Sequence, residues 1–115
     1  MSYRDVIGWQ KSMALAEQVY RFAADLPDSE KFGLSSQIRR AAVSIPSNIA
    51  EGYGRDSKVD YARFVNMALG STRELQTQLE LCNRLGFGST SDLLQSAEEV
   101  SKILMGLAKA LRKDS

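Results

Sequence analysis

The sequence has no histidine, one cysteine and two prolines in 115 residues. Without histidine there is no Ser-His-Asp or Cys-His nucleophile–base pair, no His-containing zinc set and no imidazole acid–base catalysis. The lone Cys82 cannot form an intrachain disulfide. The polar start Met1-Ser2-Tyr3-Arg4-Asp5 lacks the apolar stretch of a signal peptide. A reducing cytoplasm is therefore the expected location. No apolar run approaches the ~20 residues that span a bilayer, so no membrane partner is expected. An excess of one charge is also missing. Lys plus Arg number 15 against 14 for Asp plus Glu, a net charge of +1. That balance gives no overall attraction to nucleic acid or to an anionic membrane. A site built from carboxylates alone survives these exclusions.

What is present is a pattern of long helices. The chain is 43% hydrophobic and 25% charged, ordinary for a globular protein, and its length makes one domain, 1–115. A first helix is predicted over 5–25. Trp9, Met13, Ala16, Tyr20 and Ala23 form one apolar line, and Leu15, Val19, Phe22 and Leu26 a second beside it. The stripe is wider than a coiled-coil seam. Leu26-Pro27-Asp28 breaks it, with Asp28 as the expected cap. A second helix, 29–53, carries Leu34, Ile38, Ala41, Ile45 and either Asn48 or Ile49 inward. Pro46 within it removes one backbone hydrogen bond, which predicts a kink. Gly52 and Gly54 supply C-terminal positions that tolerate positive φ. A third helix, 57–85, has Tyr61, Val65, Ala68, Thr72, Leu75, Leu79 and Cys82 at alternating spacings of four and three, the coiled-coil period. Ser57 and Asp60 resemble a capping box at its start. A fourth, 90–112, repeats the spacing through Leu93, Ala97, Val100, Leu104, Leu107 and Leu111, with Ser89 and Asp92 offering a cap. Short connections place successive helices side by side. The fold class is all-α, an antiparallel up-down-up-down four-helix bundle.

Three constellations depart from plain core-and-surface patterning. Arg40, Ser44, Asn48 and Glu51 form a polar line beside the apolar face of the second helix, and Ser71, Glu74 and Gln78 form another on the third. An interhelical network with an Arg40–Glu74 ion pair would satisfy them. Arg39, Arg40, Arg55, Lys58 and Arg63 form a candidate basic patch. Tyr3, Trp9, Phe22 and Phe87 are large for a four-helix interior, so they are candidate interface residues of a homo-oligomer. Glu51, Glu74 and Glu80 lack the Glu-x-x-His pairing of di-iron bundles. No metal, cofactor, catalytic residue or small-molecule substrate is assigned. Cys82 occupies a core position and reads as a small apolar residue. Gly52-Tyr53-Gly54 follows a helix and is too short for a phosphate loop.

The string Gln37-Ile38-Arg39-Arg40-Ala41-Ala42-Val43-Ser44-Ile45-Pro46-Ser47-Asn48-Ile49-Ala50-Glu51-Gly52 closely resembles the signature of bacterial four-helix bundle proteins. These are encoded within intervening sequences of large-subunit (23S) ribosomal RNA genes. Phe64, Ala68-Leu69-Gly70-Ser71 and Glu74-Leu75 resemble the second block of that family, and Trp9, Tyr20 and Leu85-Gly86 also fit. The resemblance implies a bundle that assembles into a ring-like homo-oligomer, commonly a pentamer, and it does not imply an enzyme. A related bundle serves diversity-generating retroelements through a basic surface that binds RNA or DNA. By that analogy RNA is a candidate partner. The expected function is a non-enzymatic oligomeric protein associated with RNA. The alternative is a structural or protein–protein interaction module with no nucleic-acid contact.

Overall fold

The computed structural model describes residues 1–113. The last two residues of the expected 1–115 domain, Asp114 and Ser115, lie outside the described residues. Within them the chain forms α1 (Ile7–Ala24), α2 (Leu34–Tyr53), α3 (Lys58–Arg84) and α4 (Ser91–Lys113), with 3-10 turns at Tyr3–Asp5 and Asp28–Glu30. No strand occurs among the described residues. The bundle measures 46 × 19 × 19 Å. Ser35 of α2 bonds the carbonyl of Ala23 at the end of α1, whereas the start of α1, at Gly8, faces Ile49 late in α2. Ser44 meets Ser71, and Gly52 meets Tyr61 and Phe64. Residue numbers thus rise along one helix as they fall along the next. The packing is most extensive between α2 and α3 and least between α1 and α4.

The seams of α3 and α4 set the core. Val65, Ala68, Thr72, Leu75, Leu79 and Cys82 are fully buried, as are Ala97 and Leu104. Leu107 is only partly buried, and Ala108 takes its inward place. From α2, Leu34, Ile38, Ala41, Ile45 and Ile49 point inward with Ala42 and Pro46. Asn48 stays at the margin. The helix continues unbroken through Pro46.

Helix α1 enters the core by its small side. Its buried residues are Gly8, Ser12, Leu15, Ala16, Val19 and Ala23. Of the expected first line, Ala16 and Ala23 go inside, and Trp9, Met13 and Tyr20 do not. Met13 is 37% and Tyr20 46% exposed, and Trp9 is only partly buried. Space is the reason. A Cβ on Gly8 would already stand 3.2 Å from a Leu104 methyl, so α1 approaches the core most closely along Gly8 and Ser12, and the bulkier residues beside them fall at the margin.

Helix ends also differ from expectation. α1 begins two residues late, because Ser2 and Asp5 close a capping box around the 3-10 turn. α2 begins at Leu34, where Glu30 rather than Asp28 accepts the backbone N–H, at 3.1 Å. Ser57 caps α3 through the N–H of Asp60 at 3.1 Å. Asp60 turns its carboxylate to arginines. Thr90, not Ser89, ties α4 to its neighbour, donating to the Leu79 carbonyl at 3.0 Å from full burial. Gly54 has φ −82°. The glycines with positive φ are Gly86 and Gly88, in the turn before α4.

Candidate functional site

The polar lines of α2 and α3 converge on one face. The Ser44 and Ser71 hydroxyls are 2.9 Å apart. The Asn48 amide donates to the Ser44 carbonyl at 2.9 Å and to its hydroxyl at 3.0 Å. Arg40 and Glu74 line the same hollow of ≈ 400 Å³ as Ser44, Gln37 and Gln78. The expected Arg40–Glu74 ion pair is absent from the ion pairs formed among the described residues. Both side chains are exposed, and water screens charges that are free to turn outward, so the attraction does not hold them together. Glu51 is likewise exposed. The Gln78 side-chain oxygen is buried with no hydrogen-bond partner. This face is a small hydroxyl–amide network flanked by separate charges.

The basic residues do not form one surface. Arg55 and Arg63 both stack on Phe64, each 4.6 Å from the ring centre. They share one carboxylate, Asp60, at 3.7 Å and 2.9 Å. Lys58 opens the same helix. Arg39 lies over Tyr20, 5.4 Å from its ring centre. Along α2 it is about 21 Å from the Tyr53 end, at a rise of about 1.5 Å per residue. Arg40 belongs to the polar hollow. The α3–α4 side is mixed in sign. There Gln76 donates to Glu98 at 3.0 Å and Arg73 approaches it at 3.5 Å. The Gln76 hydrogen bond, then Arg73 and Lys102, hold the Glu98 carboxyl below the usual carboxylate range.

The interface candidates divide. Phe22 and Phe87 pack against the core from its margin, and Phe22 lies beside Gly88. Trp9 stands elsewhere. With Tyr3, Met13, Tyr20, Val43 and Pro46 it lines an open groove of ≈ 770 Å³ between α1 and α2. Tyr3 meets Trp9 edge-to-face at 5.3 Å, which fixes the indole at one end of the groove. Val43 is 42% exposed. Met13, Tyr20 and Val43 face solvent along it, with Tyr3 and Trp9 half-buried and Pro46 buried at its floor, and Glu17 and Arg21 rim it.

No three His, Cys, Asp or Glu side chains converge among the described residues. Cys82 is fully buried, and burial, followed by the nearby Glu30 charge, pushes its thiol pKa up. A neutral, enclosed thiol is a poor nucleophile. No described helix is long and apolar enough to cross a membrane.

The sequence matches the 23S rRNA-intervening sequence protein family over residues 4–106. The fold is similar to a crystal structure of a Bacteroides thetaiotaomicron protein of unknown function from the S23 ribosomal protein family. Identity is 27% and the TM-score 0.83, over 90% of this chain and 96% of that one. Among curated proteins none matches the sequence. The chain belongs to the 23S rRNA-intervening sequence protein family.

Proposed function

We propose that this member of the 23S rRNA-intervening sequence protein family is a non-enzymatic assembly protein. Its working unit is a homo-oligomer built through the groove between α1 and α2. The observation that carries this reading is the exposure of Met13, Tyr20 and Val43, beside the half-buried Trp9, along one groove. Contiguous apolar surface with polar residues at its rim is what a protein interface presents before its partner arrives. Resemblance to ring-forming relatives supports a closed ring, with a pentamer as the expected size. A cytoplasmic location accords with the single reduced thiol.

Light scattering of the purified chain over a wide concentration range tests the reading. A defined oligomer is expected, and a monomer at every concentration refutes it. Substituting Val43→Glu places a charge on the strip without touching the core, and should lower the mass.

Association with RNA is the second reading. The exposed guanidiniums of Arg55 and Arg63, held over the buried Phe64 ring, favour it, since guanidinium planes can stack on an unstacked base. Their shared Asp60 and the mixed charges elsewhere weigh against it. Binding of structured RNA at ~150 mM salt, weakening as salt rises, is the expected result if this reading holds. An absence of binding at low salt refutes it and leaves the assembly reading intact.

A further inference from the structure

Phe32 is the most exposed aromatic residue of the chain, at 90%. It sits between the 3-10 turn Asp28–Glu30 and the start of α2. Lys31 lies 5.6 Å from its ring centre. Its backbone is not loose. Glu30 is tied to the Leu34 N–H, and the N–H groups of Glu30, Lys31 and Gly33 are all bonded within the turn. A rigid turn that holds an aromatic ring out in water gains nothing from it in the isolated chain. Full burial of such a ring removes about 150–250 Å² from water.

We infer that Phe32 is a plug that docks in the α1–α2 groove of a second copy of this chain. The inference rests on the assembly reading above and specifies its contact. Plug and groove are supplied by the same chain in equal number, and each is open in the single bundle. Their surroundings are complementary. Asp28 and Lys31 flank the plug, while Arg21 and Glu17, a loose and exposed pair at 3.9 Å on the groove rim, carry the opposite charges and can exchange partners. The groove, at ≈ 770 Å³, exceeds one benzyl side chain, so part of the turn enters with the ring. Because plug and groove are different patches, the contact is heterologous. Contacts of that kind generate rings when the rotation closes. A stable interface needs roughly 1,200–2,000 Å² in total, so the flanking turn and helix surfaces bury the remainder.

The test uses the full chain with two single variants, Phe32→Glu and Val43→Glu, each on an exposed residue. Light scattering of each variant alone should give a monomer. An equimolar mixture should give a dimer and stop there. One intact plug then meets one intact groove, and every other site carries a mutation. Trp9, the only tryptophan, lines the groove. Its emission should be blue-shifted in the wild-type oligomer and red-shifted in the Phe32→Glu variant. Phe32→Ser serves as a second variant should the glutamate disturb the turn. Thermal unfolding monitored by circular dichroism should be the same for the monomeric variant as for dilute wild type. A wild-type mass for both Phe32 variants overturns the plug and leaves the assembly reading standing. A mixture that remains monomeric overturns the pairing of plug with groove. A monomeric wild-type chain overturns the assembly reading itself.

Discussion

Replacing Gly52 by alanine should destabilise the bundle, although alanine is the better helix former. Gly52 lies in the last turn of α2 and is buried. A Cβ built there would stand 2.7 Å from the Cβ of Phe64, 2.9 Å from a ring carbon of Tyr61 and 3.2 Å from the Tyr61 carbonyl oxygen. The Tyr61 ring can swing aside. The other two atoms move only with the α3 backbone, so α2 and α3 must separate where they pack most extensively. Helix propensity favours alanine by ~1 kcal/mol. Overpacking costs about 1–3 kcal/mol, and more where backbone must shift. The second effect wins, for an expected net loss of about 2 kcal/mol and a fall in Tm of about 8 °C for a domain of this size. Gly70 and Gly106 provide internal controls. Both lie within helices, and an added Cβ at either meets nothing within 4 Å. Alanine there should gain ~0.5–1 kcal/mol by propensity alone. Urea denaturation of the three variants, with unchanged m values, measures the contrast. A further arm locates the barrier. Phe64→Ala removes the ring and keeps the Cβ, so it should leave the Gly52→Ala penalty undiminished. A Gly52→Ala variant as stable as wild type, or rescue by Phe64→Ala, refutes the close-approach explanation.

Three other measurements follow from the same structure. Ser44→Ala should cost about 1 kcal/mol by removing partners of Ser71 and Asn48. The double variant Ser44→Ala/Ser71→Ala should cost clearly less than the sum of the two single losses, and strict additivity in urea unfolding would show that the hydroxyls do not interact. Glu98 should titrate below the usual glutamate range in a carboxyl NMR titration, and Gln76→Ala should move it upward. Because the folded-state pKa is depressed, the stabilisation is present above the unfolded value and lost as pH falls through the folded one; an unmoved titration in Gln76→Ala would contradict this assignment. Cys82 and Tyr61 both have raised pKa values, each chiefly through burial. Their contribution is fully present below the unfolded values, near 8.5 for Cys and about 10 for Tyr, and is lost as pH rises through the folded ones. Stability should therefore decline on the alkaline side, and Cys82 should react with a thiol reagent only at the rate of unfolding.

Helices α3 and α4 were legible because their apolar residues recur at one period and leave a single inward face. Tyr61 to Cys82 occupy that face almost without exception, and only Leu107 yields its place to Ala108. Gly52 departs from expectation for a physical reason. Glycine after an apolar run commonly marks positive φ, but here its missing Cβ admits a neighbouring helix, and that neighbour is distant in sequence. The Arg40–Glu74 pair failed because spacing along a helix assigns a side, without the depth that decides whether two charges are held or hydrated. The Ser44–Ser71–Asn48 cluster shows the converse. Short polar side chains cannot turn away, so residues placed on facing flanks meet.

Helix α1 shows where sequence patterning loses its power. Its apolar stripe is wider than the core covers: Leu15, Ala16, Val19 and Ala23 go inside, and Trp9, Met13 and Tyr20 do not. At its start the inward place falls to Gly8, where Leu104, Ile103 and Ile49 leave little room for a side chain. Periodicity states that Trp9, Met13 and Tyr20 should leave water. It does not distinguish burial against the chain's own helices from burial against a second copy. In a monomeric bundle these residues would be a standing cost, an apolar strip with no cover. The same holds for Phe32, which belongs to no periodic pattern at all. An unpatterned aromatic held out by a bonded turn, on a chain with an uncovered aromatic groove, is satisfied only by a partner. The features that resisted prediction as fold are therefore the ones that carry the proposed assembly.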